Sequence, residues 1–391
     1  MRAEDLGLES AETAVAVVGI GAILPAAPDA AAFWENVKSG RNSIGEVPAD
    51  RWDPNLYFDP DHSSPVRTYS KICGWVRGFR FDSPKFRIPP SVAAAMDRSQ
   101  QWMLLCARDA LKDAGVQELG TVSPERIGVV LGNALGGDLH YTTSFRILLP
   151  EVYAQLAQVP EFEALPEATR AALVSGLIAR MGAKLPQITE DTMPGELGNV
   201  IAGRVANALD LKGPNFTCDA ACASSLAAIE SAIGLLLQKK ADAVVTGGVD
   251  SSMGPTTFVK FCKIGALSAD GSRPFDLGAN GFVMGEGSVA FVLRRLEDAE
   301  RDGQKIYAVI RSIGASSDGK GKGITAPNPK GQLIAVRRAW QQAGLSPRTL
   351  GLVEAHGTST KAGDASEIES LTAALSDSGL APRTIALGSV K

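Results

Sequence analysis

FTCDAACASSLAAIESAIGLLLQKK, from Phe216 to Lys240, decides how the rest of the chain is read. Between Ala223 and Leu237 the polar residues are only Ser224, Ser225, Glu230 and Ser231. A surface helix shows a polar face about as wide as its apolar one, so this stretch predicts a buried helix beginning at Cys222. The start of such a helix carries unsatisfied N–H groups and a partial positive charge. There a thiol pKa is expected to fall from about 8.5 toward neutrality. The strand NFT and the tight DAAC turn put the Cys222 sulfur at a strand-to-helix corner. That is the plan of a nucleophile elbow, though not in its Gly-x-Ser-x-Gly form. Small neighbours (Ala220, Ala221, Ala223, Ser224) leave room for a substrate. A cysteine is more often a small buried hydrophobe than a nucleophile, and Cys218, at the strand end, is read that way. The C-x-x-x-C spacing is set aside as a metal or redox pair, because no further Cys or His lies nearby.

The 391 residues allow two ordinary domains or one large unit. With 45% hydrophobic and 21% charged residues, the composition is that of a soluble globular protein. A net charge of −4, from 39 basic and 43 acidic residues, argues against nucleic acid or an anionic membrane as partner. Five irregularly spaced cysteines do not form a disulfide framework, and a reduced compartment is expected. The polar, acidic start MRAEDLGLESAE is unlike a secretory signal. The first apolar run, Ala14 to Pro25, is too short to span a bilayer. The expectation is therefore a cytoplasmic protein.

The fold class is α/β. AVAVVGIG, Ala14 to Gly21, reads as a buried strand, and Asp29 to Gly40 as a helix capped by those two residues. Arg41 to Pro90 reads as ordered loops and Asp97 to Ala114 as a second helix. From Ala107 to Asn133 the order is helix, Ala-Gly stop, Ser-Pro, Arg, strand, and Val336 to Gly357 repeats it. The helix from Cys222 to Lys240 then leads to the strand AVVTGG, as the helix from Asp364 to Ser376 leads to TIALGS. Two similar halves are expected, 1–253 with the nucleophile and 254–391, with functional loops meeting between them. A mostly helical insertion, 137–194, and an irregular glycine-rich stretch, Gly254 to Glu286, decorate them. Insertions of this length tend to cover sites or form interfaces. The apolar face of this one is expected over a substrate tunnel or at a dimer interface.

Three histidines are available, His62, His140 and His356. VEAHGTST places His356 after an apolar strand and before a polar loop, where α/β folds bind ligands. The helix beyond it is expected to start at Asp364 through the capping box Asp364 to Glu367. Cys222 and His356 could form a thiolate–imidazole couple, or His356 could act on a second substrate. Thr358 and Thr360 could hydrogen-bond a polar ligand arm or serve only the turn. Lys391 ends the strand TIALGSVK. ANGFVMGEGSVAF, Ala279 to Phe291, follows no clear strand and is not a dinucleotide fingerprint.

These residues resemble the β-ketoacyl synthase (ketosynthase) family, especially the ketosynthase domains of type I polyketide and polyunsaturated-fatty-acid synthases. The resemblance runs from Ala14 to Lys391. It rests on EVPADRWD, DAACASSLAA, RPFD…GFVMGEG, TAPN, EAHGTST-x-x-GD and GSVK, in the family's order. DTMPGELGNVIAGRVANALDL, Asp191 to Leu211, leans toward the polyunsaturated-fatty-acid type.

The resemblance implies a thiolase-like fold of five layers, αβαβα, with duplicated halves. It also implies an acyltransferase that forms a homodimer within a multidomain synthase. An acyl group would pass from the phosphopantetheine of an acyl carrier protein to Cys222, no cofactor being bound by the chain itself. Malonyl on a carrier would then lose carbon dioxide, and its carbanion would attack the Cys222 thioester. His356 would stabilise the enolate oxygen, and Thr358, Thr360 and Phe282 would contact substrate. Lys391, paired with Glu367 and supported with Asp364, would set the electrostatics of the pocket. A thiolate is both a good nucleophile and a good thioester leaving group, and the enolate needs preorganised donors.

In the family a second histidine follows the motif at Lys391, so the second half here is expected to be incomplete and condensation impaired. His62 and His140 lie in decorations and are not expected to replace it. The alternative is a non-catalytic ketosynthase-like scaffold that dimerises and docks carriers. The intact Cys222 and HGTST favour the enzyme, because a scaffold has no need of a reactive thiol.

Overall fold

An unbroken apolar run can be a strand only if both faces of its sheet are covered, and the strand at Ala14 meets that condition. The computed structural model describes residues 14–116, 120–321, 323–381 and 383–390. It opens with β1 (Val15–Ile23) and α1 (Ala30–Lys38), whose N-cap Asp29 accepts the Ala32 N–H. The loop-rich stretch that follows holds β2 (Ile44–Glu46), α2 (Pro54–Tyr57) and β3 (Ile72–Gly74). Next come α3 (Pro90–Ala95), α4 (Arg98–Asp113) and β4 (Ile127–Gly132), with Asp97 capping α4. The insertion is helical, with α5 (Leu139–Leu156), α6 (Pro160–Glu163), α7 (Glu167–Lys184) and α8 (Thr192–Glu196).

The core resumes with α9 (Val200–Ala208), β5 (Asn215–Cys218), α10 (Ser224–Leu237) and β6 (Ala243–Asp250). The stretch after it contains α11 (Pro255–Lys263) and the short β7 (Met284–Gly285). Then follow β8 (Gly287–Arg295), α12 (Leu296–Arg301) and β9 (Ala308–Ile310). The remainder is α13 (Pro329–Ala343), β10 (Leu352–Glu354), α14 (Lys361–Leu375) and β11 (Ala386–Gly388).

Six strands form one mixed sheet in the order β5-β4-β6-β8-β1-β9. β5, β4 and β6 are parallel, with Gly132 level with both Cys218 and Gly248. Alternate side chains go to opposite faces, as the pleat requires. Ala14, Ala16, Val18, Val129, Leu131 and Val245 pack under α4 and α9 with Trp102, Met103 and Ile201. Val15, Val17, Val130 and Val244 meet Ala228, Ala232 and Leu236 of α10 on the other face. A second, parallel two-stranded sheet pairs β10 with β11, and α13 packs against α14.

Three expectations need correction. The helix after Cys222 is not buried all round. Ser224, Ala228, Ala232 and Leu236 form its buried stripe, whereas Leu226 is 58% exposed. Small residues at every fourth position are enough to seat it on the sheet. The stretch Gly254 to Glu286 is less irregular than its glycines imply, because Pro255 at the first turn starts α11 and Phe258 is fully buried. The correspondence of the two units also shifts. α13 packs against α14 as α4 packs against α9, which aligns α14 with α9 rather than with α10. Strands on both sides of residue 253 share the large sheet.

Candidate active site

Cys222 is exposed and sits in a 3-10 turn, Ala221–Ala223, between β5 and α10. The α-helix therefore starts two residues beyond the thiol. Ala221 has φ 50°, a left-handed conformation costly for a residue with a Cβ. Three hydrogen bonds hold it there. Asp219 accepts the Ala221 N–H at 2.8 Å, and Ser224 Oγ accepts the Ala220 N–H at 2.9 Å and donates to the Ala221 carbonyl at 2.7 Å. The corner is thus an elbow fixed by Asp219 and Ser224, two residues whose role the sequence did not reveal. Gly132 lets β4 press directly on the Ser224–Ser225 backbone, and a Cβ at Gly248 would stand 2.9 Å from the Ser225 Cβ. Cys218 is half-buried, with its sulfur 3.7 Å from the Leu131 and Ser224 carbonyls, and burial pushes its thiol pKa up. That environment suits packing.

His356 follows β10 and is exposed, so Cys222 and His356 both stand past the C-terminal ends of parallel strands, in different sheets. The loop after it is fixed by carboxylates. Glu367 accepts the His356 N–H at 2.7 Å and the Gly357 N–H at 2.9 Å, one on each oxygen. A Cβ at Gly357 would fall 2.5 Å from Ser389 Oγ, so only glycine fits this bend. Thr358 and Thr360 are half-buried, with hydroxyls 3.0 Å apart.

Asp364 does not cap the following helix. Thr360 does, accepting the Gly363 N–H, and α14 starts at Lys361. A threonine four residues upstream outcompeted the capping box because Asp364 is used elsewhere. Its two oxygens accept the Ser359 N–H at 3.0 Å and the Phe275 N–H at 2.7 Å. Phe282 is half-buried and packs edge-on against Phe261, 5.5 Å between centroids, within an aromatic cluster that includes Phe258 and Trp52. Lys391 lies outside the described residues. His62 stacks on Tyr69, and His140 lies 3.6 Å from Glu196 at the end of α8.

A buried group of carboxylates gathers near Asp97, the cap of α4. Asp97 accepts the Ser99 and Leu139 N–H groups and the Ser251 hydroxyl. Asp138 accepts the Gly254 N–H, and Glu286 pairs with Arg51. Burial raises Asp138 to about 7, Glu286 to about 7 and Asp250 to about 6. These residues are far apart in sequence, so no local pattern announces them. Among the described residues, no group of three or more His, Cys, Asp or Glu side chains is placed to hold a metal ion. A cleft of about 770 Å³, lined by Arg41, Arg77, Arg80 and Phe79, contains none of the site residues.

The family models for the Beta-ketoacyl synthase N-terminal and C-terminal domains match residues 12–299 and 307–391. The chain is similar to a polyunsaturated fatty acid synthase subunit from Thraustochytrium, 38% identical over 92% of this chain and 12% of that protein. It is also similar to the polyketide synthase PksL of Bacillus subtilis, 33% identical over 97% of this chain and 7% of that protein. It therefore spans only a small part of the length of either relative. Among solved structures, an oxazolomycin ketosynthase domain from Streptomyces albus superposes with TM-score 0.79 at 34% identity. That match covers 96% of this chain and 58% of the other. The module 6 ketosynthase of the bacillaene synthase from Bacillus subtilis gives 0.77 at 32%, covering 97% and 57%. The layered sheets and helices are therefore a thiolase-like fold, and the chain belongs to the β-ketoacyl synthase family of acyl-transferring condensing enzymes.

Proposed function

We propose that this chain is the condensing unit of a polyketide or polyunsaturated-fatty-acid synthase, with Cys222 as its acylated nucleophile. The observation that carries this reading is the elbow. An exposed thiol follows a left-handed Ala221 that Asp219 and Ser224 hold in place. Local strain of that kind persists only where surrounding bonds over-determine it.

In the first half-reaction the Cys222 thiolate attacks the carbonyl of an acyl thioester on the phosphopantetheine arm of a carrier protein. A new C–S bond forms at Cys222, the old one breaks, and the carrier leaves as a thiolate that takes up the proton Cys222 released on ionising. In the second, the C–C bond to the malonyl carboxylate breaks and carbon dioxide departs. The resulting enolate attacks the Cys222 thioester, forming a C–C bond and releasing the Cys222 thiolate. His356 donates a hydrogen bond to the enolate oxygen, where a donor fixed in advance is most effective. Thr358 and Thr360 offer hydroxyls to the amides of the arm, Phe282 borders the substrate, and Lys391 sets the local field. The arm arrives as part of the substrate, and no other cofactor is required.

The working unit is proposed to be a homodimer in the cytoplasm. Among the described residues β5 pairs only with β4, which leaves its other edge open, with Asn215 and Phe216 exposed. Edges of this kind invite a second strand. All five cysteines are free, in keeping with a reducing compartment. No helix among the described residues is long and apolar enough to cross a membrane. The test is intact-protein mass spectrometry with an acyl carrier or acyl-CoA donor. One acyl adduct is expected, lost in Cys222→Ala. An adduct that persists in Cys222→Ala and maps to Cys218 would overturn the assignment.

A further inference from the structure

Ser359 lies at the centre of the GTST loop and is fully buried, with φ 61°. All three of its polar groups are engaged by distant parts of the chain. Its Oγ accepts the Arg273 N–H at 2.9 Å, and its carbonyl accepts the Gly281 N–H at 2.8 Å. Its own N–H goes to Asp364, which also accepts the Phe275 N–H. The segment from Arg273 to Gly281 is thereby tied at three backbone positions to a single loop residue and its carboxylate neighbour.

The two ends of this tie belong to different parts of the fold. Phe282, next to Gly281, bonds through its N–H and carbonyl to Ala266 and Ser268, and its ring packs on Phe261 in the aromatic cluster. Three residues before Ser359, His356 stands at the end of β10 in the second sheet. Asp270 braces the segment from outside through Arg273, Asn280 and Ser268. Those bonds hold its carboxyl well below the usual range. A left-handed serine with no exposed surface is not needed to make a turn, since glycine would do so without strain. What glycine lacks is the hydroxyl, and that hydroxyl is the acceptor for Arg273.

We infer that Ser359 is a positioning residue whose hydroxyl locks the 273–282 segment to the His356 loop. The two then move as one unit and keep His356 in register with the substrate wall at Phe282. The inference rests on the ketosynthase reading for its catalytic consequence, but the mechanical coupling can be read without substrate.

The experiment uses the full-length protein with Ser359→Ala and Ser359→Gly. Both remove the hydroxyl, and the glycine variant also relieves the left-handed strain. Amide hydrogen exchange measured by mass spectrometry is expected to rise in both variants, at 267–282 and 354–360 together. Malonyl decarboxylation is expected to fall roughly tenfold to a hundredfold, mainly in kcat. Cys222 acylation should fall less than twofold. Faster exchange in only one of the two segments, or in neither, would overturn the coupling. Equal loss of both half-reactions would reduce Ser359 to a structural residue. Failure of the unsubstituted protein to acylate Cys222 would count against the proposed function instead, leaving the exchange result to decide the lock.

Discussion

Glu367 grips the backbone of His356 with one carboxylate oxygen and that of Gly357 with the other, at 2.7 and 2.9 Å. The backbone that carries the imidazole is therefore held by a side chain more than one helical turn into α14, and the carboxylate needs both oxygens to do it. In Glu367→Gln one of those acceptors becomes an NH₂ facing an N–H. A hydrogen bond to a charged group is worth about 1.5–3 kcal/mol, so a loss of that order in unfolding free energy is expected. Decarboxylation should fall more than Cys222 acylation. Urea melts and separate half-reaction assays check this, and equal rates to wild type in both would refute it.

The buried carboxylates predict how stability depends on pH. Asp138, Glu286 and Asp250 sit at about 7, 7 and 6 in the folded chain, against about 4 when unfolded. Below pH 4 both states hold these protons and nothing is lost. Between pH 4 and 7 the unfolded chain releases them while the folded one retains them, so stability falls as pH rises. Above 7 the penalty is complete. Melting temperature is expected to be higher near pH 5 than near pH 8, and Asp138→Asn should flatten the difference. A melting temperature that rises steadily from pH 5 to pH 8 would contradict this.

Arg51 forms an ion pair with one member of that group, Glu286. Its side chain is 7% exposed and that of Glu286 is fully buried. Removing a partner from a buried pair costs about 3–5 kcal/mol, less here because Glu286 can take up a proton. Arg51→Leu is expected to destabilise strongly at pH 8 and mildly at pH 5. Thermal melts at the two pH values check it.

Gly132 is where β4 touches the first turn of α10. A methyl group there would meet the Ser224–Ser225 backbone directly. Gly132→Ala should cost about 1–3 kcal/mol and slow Cys222 acylation, because Ser224 also fixes the elbow. Normal acylation in a destabilised variant would show that the elbow is independent of β4.

The long insertion should matter little to the fold itself. α7 buries no side chain, and Leu173, Leu177 and Ile178 are 51%, 37% and 47% exposed. Replacing 160–184 with a short linker is expected to leave the melting temperature within about 4 °C. The same variant should alter either the solution mass or the acyl-chain preference. A large fall in melting temperature would place α7 in the core.

Local signals were legible where the residue that sends them also uses them locally. Asp29 and Asp97 are read as helix starts, and both cap their helices. Asp364 sends the same signal, but Ser359 and Phe275 claim its oxygens and Thr360 takes the cap. The buried strand β1 and the strand-to-helix corner at Cys222 could be read because short-range pattern specifies them. The Ser359 contacts and the Asp138–Glu286 environment could not, because each depends on residues brought together only by the tertiary fold. The Asp219–Ser224 brace is local, but it forms around a left-handed Ala221 that no residue pattern marks. The apolar α10 misled in a different way, since small residues every four positions bury one stripe without burying the helix.

Whether Cys222 is the acyl acceptor is decided by peptide mapping after incubation with an acyl-thioester donor. A single acyl group is expected on the peptide containing Cys222, abolished by Cys222→Ala and retained in Cys218→Ala. An acyl group on any other residue in the wild-type protein, with Cys222 unmodified, would contradict it.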